Sequence, residues 1–402
     1  MMSETSRIPG FDTLRGLALL LGILIHAVMP YLSPGLQLWP ALDSERHIGY
    51  TVLVVTIHAF RLQVFFLLAG FFASLLIEKR GIWGFVRNRF QRIVIPFLIS
   101  LVVLVPVMQA MMIIGYSMRE NAGYVQIGSL IMDTRVYQTS LGEFFQSGKF
   151  LKEIFLYHLW FLYYLILIYG CVLMLRWFAM GVQLLQPLRS FASRVLSHRF
   201  GLLWLTIGTT VCMWPMVLWQ VDTPYSIIPN PVLVCYYLLF FVVGMVLYHN
   251  QDILNMIKKQ SLRYLLVGLL VLPIALFFQS FGPNPAGIPA RESWKLPALL
   301  SYSVLTWSAV FGLTGWFARH FTLPNRTIRR VSETAYWQYL IHLPVMFAFQ
   351  LYLVTIDLGS VAEILIQLFA VSLLLYYSYV WVVGRTFIGK FLNGRRIQDL
   401  DV

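Results

Sequence analysis

Three ionisable side chains, Asp12, Arg15 and His26, stand on a stretch, residues 10–26, whose other members are small or apolar. At 100° per residue on a helix, Arg15 and His26 fall within about 20° of each other, with Asp12 on nearly the same line. Eleven residues of rise place the imidazole roughly 16 Å deeper than the guanidinium. Charges lined up on an apolar helix are costly in lipid, so this line is expected to face a polar cavity inside a bundle. There a buried imidazole can serve as a general base, and a nearby cation can hold an anion. The plainer alternative has Arg15 snorkelling to the interface and His26 bonded to a backbone carbonyl.

Further along, His58 and Arg61 are three apart and share a helix face. Entering from the opposite side of the membrane, they are expected near the depth of His26. Two imidazoles and a guanidinium with few carboxylates suit an anionic substrate group or a developing oxyanion. The competing expectation is an ion pair between Arg61 and an acid such as Glu363. Arg87, Arg89 and Arg92 form a fork at the other mouth, with donor geometry that matches phosphate. Topological bias and contacts with anionic lipid would also account for them. Tyr157, His158 and Trp160 open a later apolar run, where aromatics form an interfacial belt; His158 and Trp160 could also face a sugar ring. Tyr339 and His342 lie on a run that contains Pro344, a residue able to kink a helix. His342 is expected about a third of the way in. His47, His198, His249 and His320 sit at span ends or in loops and are expected to be solvated.

The elements that must position these groups follow from composition. Of 402 residues 59% are hydrophobic and only 12% charged, with mean hydropathy +0.73. Soluble domains carry about 25% charged residues, so the chain reads as an all-α, polytopic membrane bundle. Apolar spans are expected near 13–32, 51–77, 93–115, 157–179, 201–219, 231–249, 264–281, 296–318, 334–356 and 361–384. They make one domain over residues 1–402 with a tail from 385, and the 51–77 span is expected to be tilted or kinked. Ten spans put both termini on one side. That side carries 22 of the 30 Lys and Arg residues, so the termini are expected to be cytoplasmic. The net charge of +13 is spread over short loops, which excludes a nucleic-acid-binding face. Cys171, Cys212 and Cys235 lack metal-ligand spacing and imply no disulfide framework. The first span is a signal anchor at most. The loop at 116–156 is expected to carry short amphipathic helices, and the absence of repeats weakens a transporter of inverted halves.

Taken together the segments resemble the integral-membrane acyltransferase family 3, and within it the branch that succinylates periplasmic glucans. The resemblance rests on Arg15 and His26 with ten residues between them, on His58 to Phe66, on Arg89 and Arg92 ahead of Pro96, and on His158 to Leu162. It continues through Tyr236 to Gly244, Ala335 to Pro344 and the tail from Arg385 to Arg396. Ala69 departs from the family, standing where serine is common before the glycine. The resemblance implies a multi-pass protein of the bacterial inner membrane with no permanently bound cofactor. Its co-substrate would be a cytoplasmic acyl-CoA, succinyl-CoA or acetyl-CoA, and its acceptor a periplasmic glucan. It makes Arg15 and His26 the catalytic pair and gives Arg89 and Arg92, with Arg87, to coenzyme A. Arg61 or His58 would then stabilise the oxyanion, or Arg61 would hold the free carboxylate of a succinyl group. An O-acetyltransferase of another surface polysaccharide, and a flippase for an anionic glycan, are the alternatives.

Overall fold

The computed structural model describes residues 8–36, 38–118, 124–127, 130–133, 155–181, 185–283, 290–323, 326–356 and 358–393. It is a bundle of helices with one small hairpin. The first helix, α1 (Pro9–Val28), opens with proline at its first position, where a missing N–H costs nothing. Next come α2 (Ile48–His58) and α3 (Arg61–Arg89), separated by a break at Ala59 and Phe60. This break is the kink expected in the second span. Within α3 the chain departs from helical geometry at Gly81, whose φ is 69°. A π-helical turn, Phe90–Val94, leads into α4 (Ile95–Ser117).

In the loop that follows, β1 (Tyr124–Ile127) pairs antiparallel with β2 (Leu130–Asp133), Tyr124 opposite Asp133. The rest of the loop, where short helices are expected, lies outside the described residues. The remaining helices are α5 (Trp160–Gly181), α6 (Leu185–Ser197), α7 (Gly201–Met213) and α8 (Pro231–His249). After them come α9 (Gln251–Gln279), α10 (Lys295–His320), α11 (Arg326–Leu353), α12 (Ser360–Tyr377) and the short α13 (Phe387–Asn393).

Every expected span coincides at least in part with a helix. Among the described residues seven helical stretches are long and apolar enough to cross a membrane, one of them the 70-residue run Ile48–Ser117. The protein is therefore a multi-pass membrane protein. At 13 residues α7 is shorter than the span expected there, and the chain turns at Trp214 just before Pro215.

The most consequential feature is the position of α1, which packs against α2, α3, α10, α11 and α12. The helix with the ionisable line is thus the axle of the bundle. Two side chains of α11 bond to its backbone: the Ser332 hydroxyl donates to the Asp12 carbonyl at 2.8 Å, and the Gln350 amide to the His26 carbonyl at 2.7 Å. Lipid-facing apolar residues gather elsewhere, as on α9, where Leu269 and Leu270 are 66% and 70% exposed.

Between α3 and α8 the backbones touch. A methyl group on Gly70 would overlap the Phe241 carbonyl oxygen, and one on Gly244 that of Leu67. In lipid, where burying more apolar surface gains little, such close approach supplies the packing that holds helices together. Gly244→Ala should therefore destabilise the protein by about 1–3 kcal/mol. Thermal unfolding in detergent is expected to show a lowered midpoint. Ala at Gly170, where a methyl meets nothing within 4 Å, should leave it unmoved.

Candidate active site

A cavity of about 670 Å³ runs along the inner face of α1, which lines it with Asp12, Arg15, Ala18, Leu19, Gly22 and His26. Those positions recur every three or four residues, the spacing of one helix face. Where α1 begins, the cavity wall carries Arg15, Lys79, Arg80, Arg89 and Arg92. Arg15 lies 3.7 Å from Asp12 and 5.9 Å from the ring of Phe72. The Arg89 guanidinium sits 5.4 Å from the rings of both Phe85 and Tyr169, with its Nε buried and without a hydrogen-bond partner. Arg87 lies elsewhere: it is exposed and borders a smaller pocket with Arg80, Gly84, Asn88 and Gln91.

Deeper in, His26, His58, Arg61, His158, Tyr339 and His342 line the same cavity. The break between α2 and α3 puts His58 and Arg61 at the two helix ends that meet there. His342 lies between His26 and His158, its ring centroid 5.2 Å from that of His26 and 5.0 Å from that of His158. His342 is therefore at the level of His26 rather than in the shallower position expected. His158, placed by sequence at an interfacial entrance, is buried with 6% exposure.

Hydrogen bonds distinguish the three rings. His342 Nδ1 donates to the carbonyls of Tyr339 (2.8 Å) and Gln338 (3.1 Å), which leaves the lone pair on Nε2. His158 Nε2 donates to the Leu340 carbonyl at 3.0 Å, leaving its buried Nδ1 unpartnered. The Tyr339 hydroxyl donates to the His158 carbonyl at 2.6 Å. His26 makes no such bond: its Nδ1 is buried without a partner, and its ring stacks on Trp39 at 5.6 Å with planes 6° apart. The backbone tether considered for His26 is thus what His158 and His342 have, while His26 keeps its nitrogens for the cavity.

Beyond the imidazoles the wall turns aromatic, with Trp39, Phe155, Trp160 and Tyr225. Close by, Asp222 is 7% exposed. Burial pushes its carboxyl up to about 6, against the opposing pull of the Leu218 and Val217 backbone N–H groups. Among the described residues no group of three His, Cys, Asp or Glu side chains forms a metal site.

A cavity that joins a guanidinium-lined mouth to a buried imidazole suits transfer of a group carried on a phosphate-bearing handle. Comparison with known families agrees, since the model described as "Acyltransferase domain" matches residues 8–383. The chain belongs to this acyltransferase family. It is also similar to "Glucans biosynthesis protein C" of Escherichia coli K12 (DH10B) and of Escherichia coli O157:H7 (EC4115). Each is 31% identical over 90 residues, 22% of this chain. The match spans only 23% of the length of these relatives. No solved structure matches.

The acyltransferase site has a support that sequence reasoning missed. Gln350 Nε2 donates to Gln367 Oε1 at 3.0 Å as well as to the His26 carbonyl, and Gln350 Oε1 accepts from Trp39 Nε1 at 2.8 Å. Gln367 donates in turn to the Tyr31 hydroxyl at 3.2 Å, which donates to Glu363 at 2.5 Å. Glu363 is thereby committed to Tyr31, and the ion pair considered for Arg61 is not made. A signal was present: Gln350 and Gln367 are polar residues in apolar spans, where an amide persists only with partners. Trp39, in a loop, gave none.

Gln350→Leu would strand the Trp39 and Gln367 groups, at about 1–3 kcal/mol for each orphaned buried partner. The acyltransferase is expected to lose detergent stability. The loosened His26–Trp39 stack should lower kcat by up to about 10²-fold. Parallel melting and transfer assays check this.

Proposed function

We propose that this acyltransferase moves a succinyl group from cytoplasmic succinyl-CoA to hydroxyls of a periplasmic glucan in the bacterial inner membrane. Ten crossings with both termini in the cytoplasm belong to the same reading. The observation that carries it is the continuity of the cavity from Arg89 and Arg92, past His26, to the aromatic wall at Trp160. Its support comes from the family, from the partial similarity to glucan biosynthesis proteins and from the excess of basic residues on one side.

In this mechanism Arg89 and Arg92 bind the phosphates of the donor, with Arg15 and Asp12 beside them, and the thioester reaches His26. Arg87, exposed at the rim, contributes long-range attraction only. A glucan hydroxyl arrives along His158 and Trp160. The neutral imidazole of His26 takes the hydroxyl proton as the oxygen attacks the thioester carbon. A new C–O bond forms, the C–S bond breaks, and the proton passes to the departing thiolate, so that ester and free coenzyme A result. His58 and the backbone-oriented His342 border the carbonyl oxygen during the attack.

His26→Ala should reduce transfer by about 10²–10⁴-fold with normal membrane insertion. Undiminished acylation in that variant would refute the mechanism. Joint replacement of Arg89 and Arg92 by Ala should abolish retention of labelled succinyl-CoA in detergent, whereas unaltered retention would reduce these residues to topology. The activity itself is read by mass spectrometry of the periplasmic glucan fraction with and without the gene. A succinate-sized increment is expected; an acetate-sized one would make the protein an O-acetyltransferase. Thermal stabilisation by succinyl-CoA separates either enzyme from a flippase, which would gain none.

A further inference from the structure

Arg61 is a cation for which the described residues supply no anion. It lines the cavity beside the histidines, its Nε is buried without a hydrogen-bond partner, and its charged or polar neighbours there are the phenols of Tyr237 and Tyr339 and the imidazoles. Among the described residues no carboxylate pairs with it. Glu363 is bonded to Tyr31. The acids that line the cavity are Asp12, paired with Arg15, and Glu333, next to Ser332, whose hydroxyl bonds to the Asp12 carbonyl. Both stand near the start of α1. A guanidinium inside a membrane bundle without a counter-ion is strongly unfavourable, so its retention points to an anion that arrives with a ligand.

The position of the guanidinium says which anion. Arg61 Nη1 lies against Gly22, so close that a Cβ there would sit 2.5 Å away. Gly22 precedes His26 by four residues on the same face, about 6 Å of helix rise. The unpaired cation therefore lies about one turn from the imidazole. An acyl group whose free carboxylate is two methylenes from the reactive carbonyl spans a similar gap, about 4 Å over three C–C bonds. An acetyl group has nothing to place there.

We infer that Arg61 selects the donor, by binding the free carboxylate of a dicarboxylic acyl group while the thioester carbonyl lies at His26. This rests on the acyl-CoA reading above and gives Arg61 a role distinct from oxyanion stabilisation. An oxyanion donor would serve every thioester alike; a carboxylate anchor distinguishes succinyl-CoA from butyryl-CoA, its uncharged counterpart of equal chain length.

The experiment measures kcat/KM for both donors with the full-length protein in detergent. The wild type should prefer succinyl-CoA. In Arg61→Met the succinyl-to-butyryl ratio should fall by roughly 10²-fold, chiefly through KM. Gly22→Ala, which keeps the charge but displaces the tip of a flexible side chain, should lower the ratio in the same direction, and Arg61→Lys should restore part of it. Equal losses for the two donors in the variants, or a wild type that prefers butyryl-CoA, would overturn the assignment and leave acyl-CoA use intact. Failure of the wild type to bind either thioester would remove the acyl-CoA reading and this one with it. Should Arg61→Met not fold, the ratio in Gly22→Ala decides.

Discussion

Charged and polar groups inside a membrane persist only where the protein gives them partners or a ligand will. The whole interior of this bundle is arranged around that condition. Gln350, Gln367, Tyr31 and Glu363 satisfy one another in a chain of hydrogen bonds between α1, α11 and α12. His158 and His342 each spend one nitrogen on a backbone carbonyl. Among the buried polar atoms left without a partner are His26 Nδ1 and Arg61 Nε, and these two side chains line a common cavity.

The same condition explains why α1 is central. A helix with Asp12, Arg15 and His26 on one face cannot stand at the lipid boundary, so other helices must close around it. α11 does most to fix it, with Ser332 holding the backbone near Asp12 and Gln350 holding it at His26. The distance between the basic mouth and the imidazole is thereby set by a helix tied at both levels. Guanidiniums at one end and aromatics at the other give the cavity two chemically distinct halves, with the imidazoles between them.

Much of this was legible in the sequence because helix periodicity and hydropathy are local properties. The α1 line and the position of the spans follow from residue spacing and hydropathy, as does the presence of Arg89 and Arg92 on one wall. A tilt or kink in the 51–77 span is expected, though not its place at Ala59 and Phe60. Positions that depend on how distant segments fold back were not legible. His342 is level with His26 because of where α11 packs along α1, and Trp39 reaches the site because the α1–α2 connection turns inwards. Neither fact has a local signature. Arg61 was recognised as a cation in need of an anion, but only the structure shows that Glu363 is engaged elsewhere.

The stacking of Trp39 on His26 has a consequence for motion within the site. An imidazole beside an open cavity would otherwise sample several rotamers, and ordering it would cost conformational entropy at each encounter. An indole laid nearly parallel to the ring, 5.6 Å away, and tethered by its N–H to Gln350 of another helix, holds the ring plane before any ligand arrives. That entropy is lost once, when the chain folds.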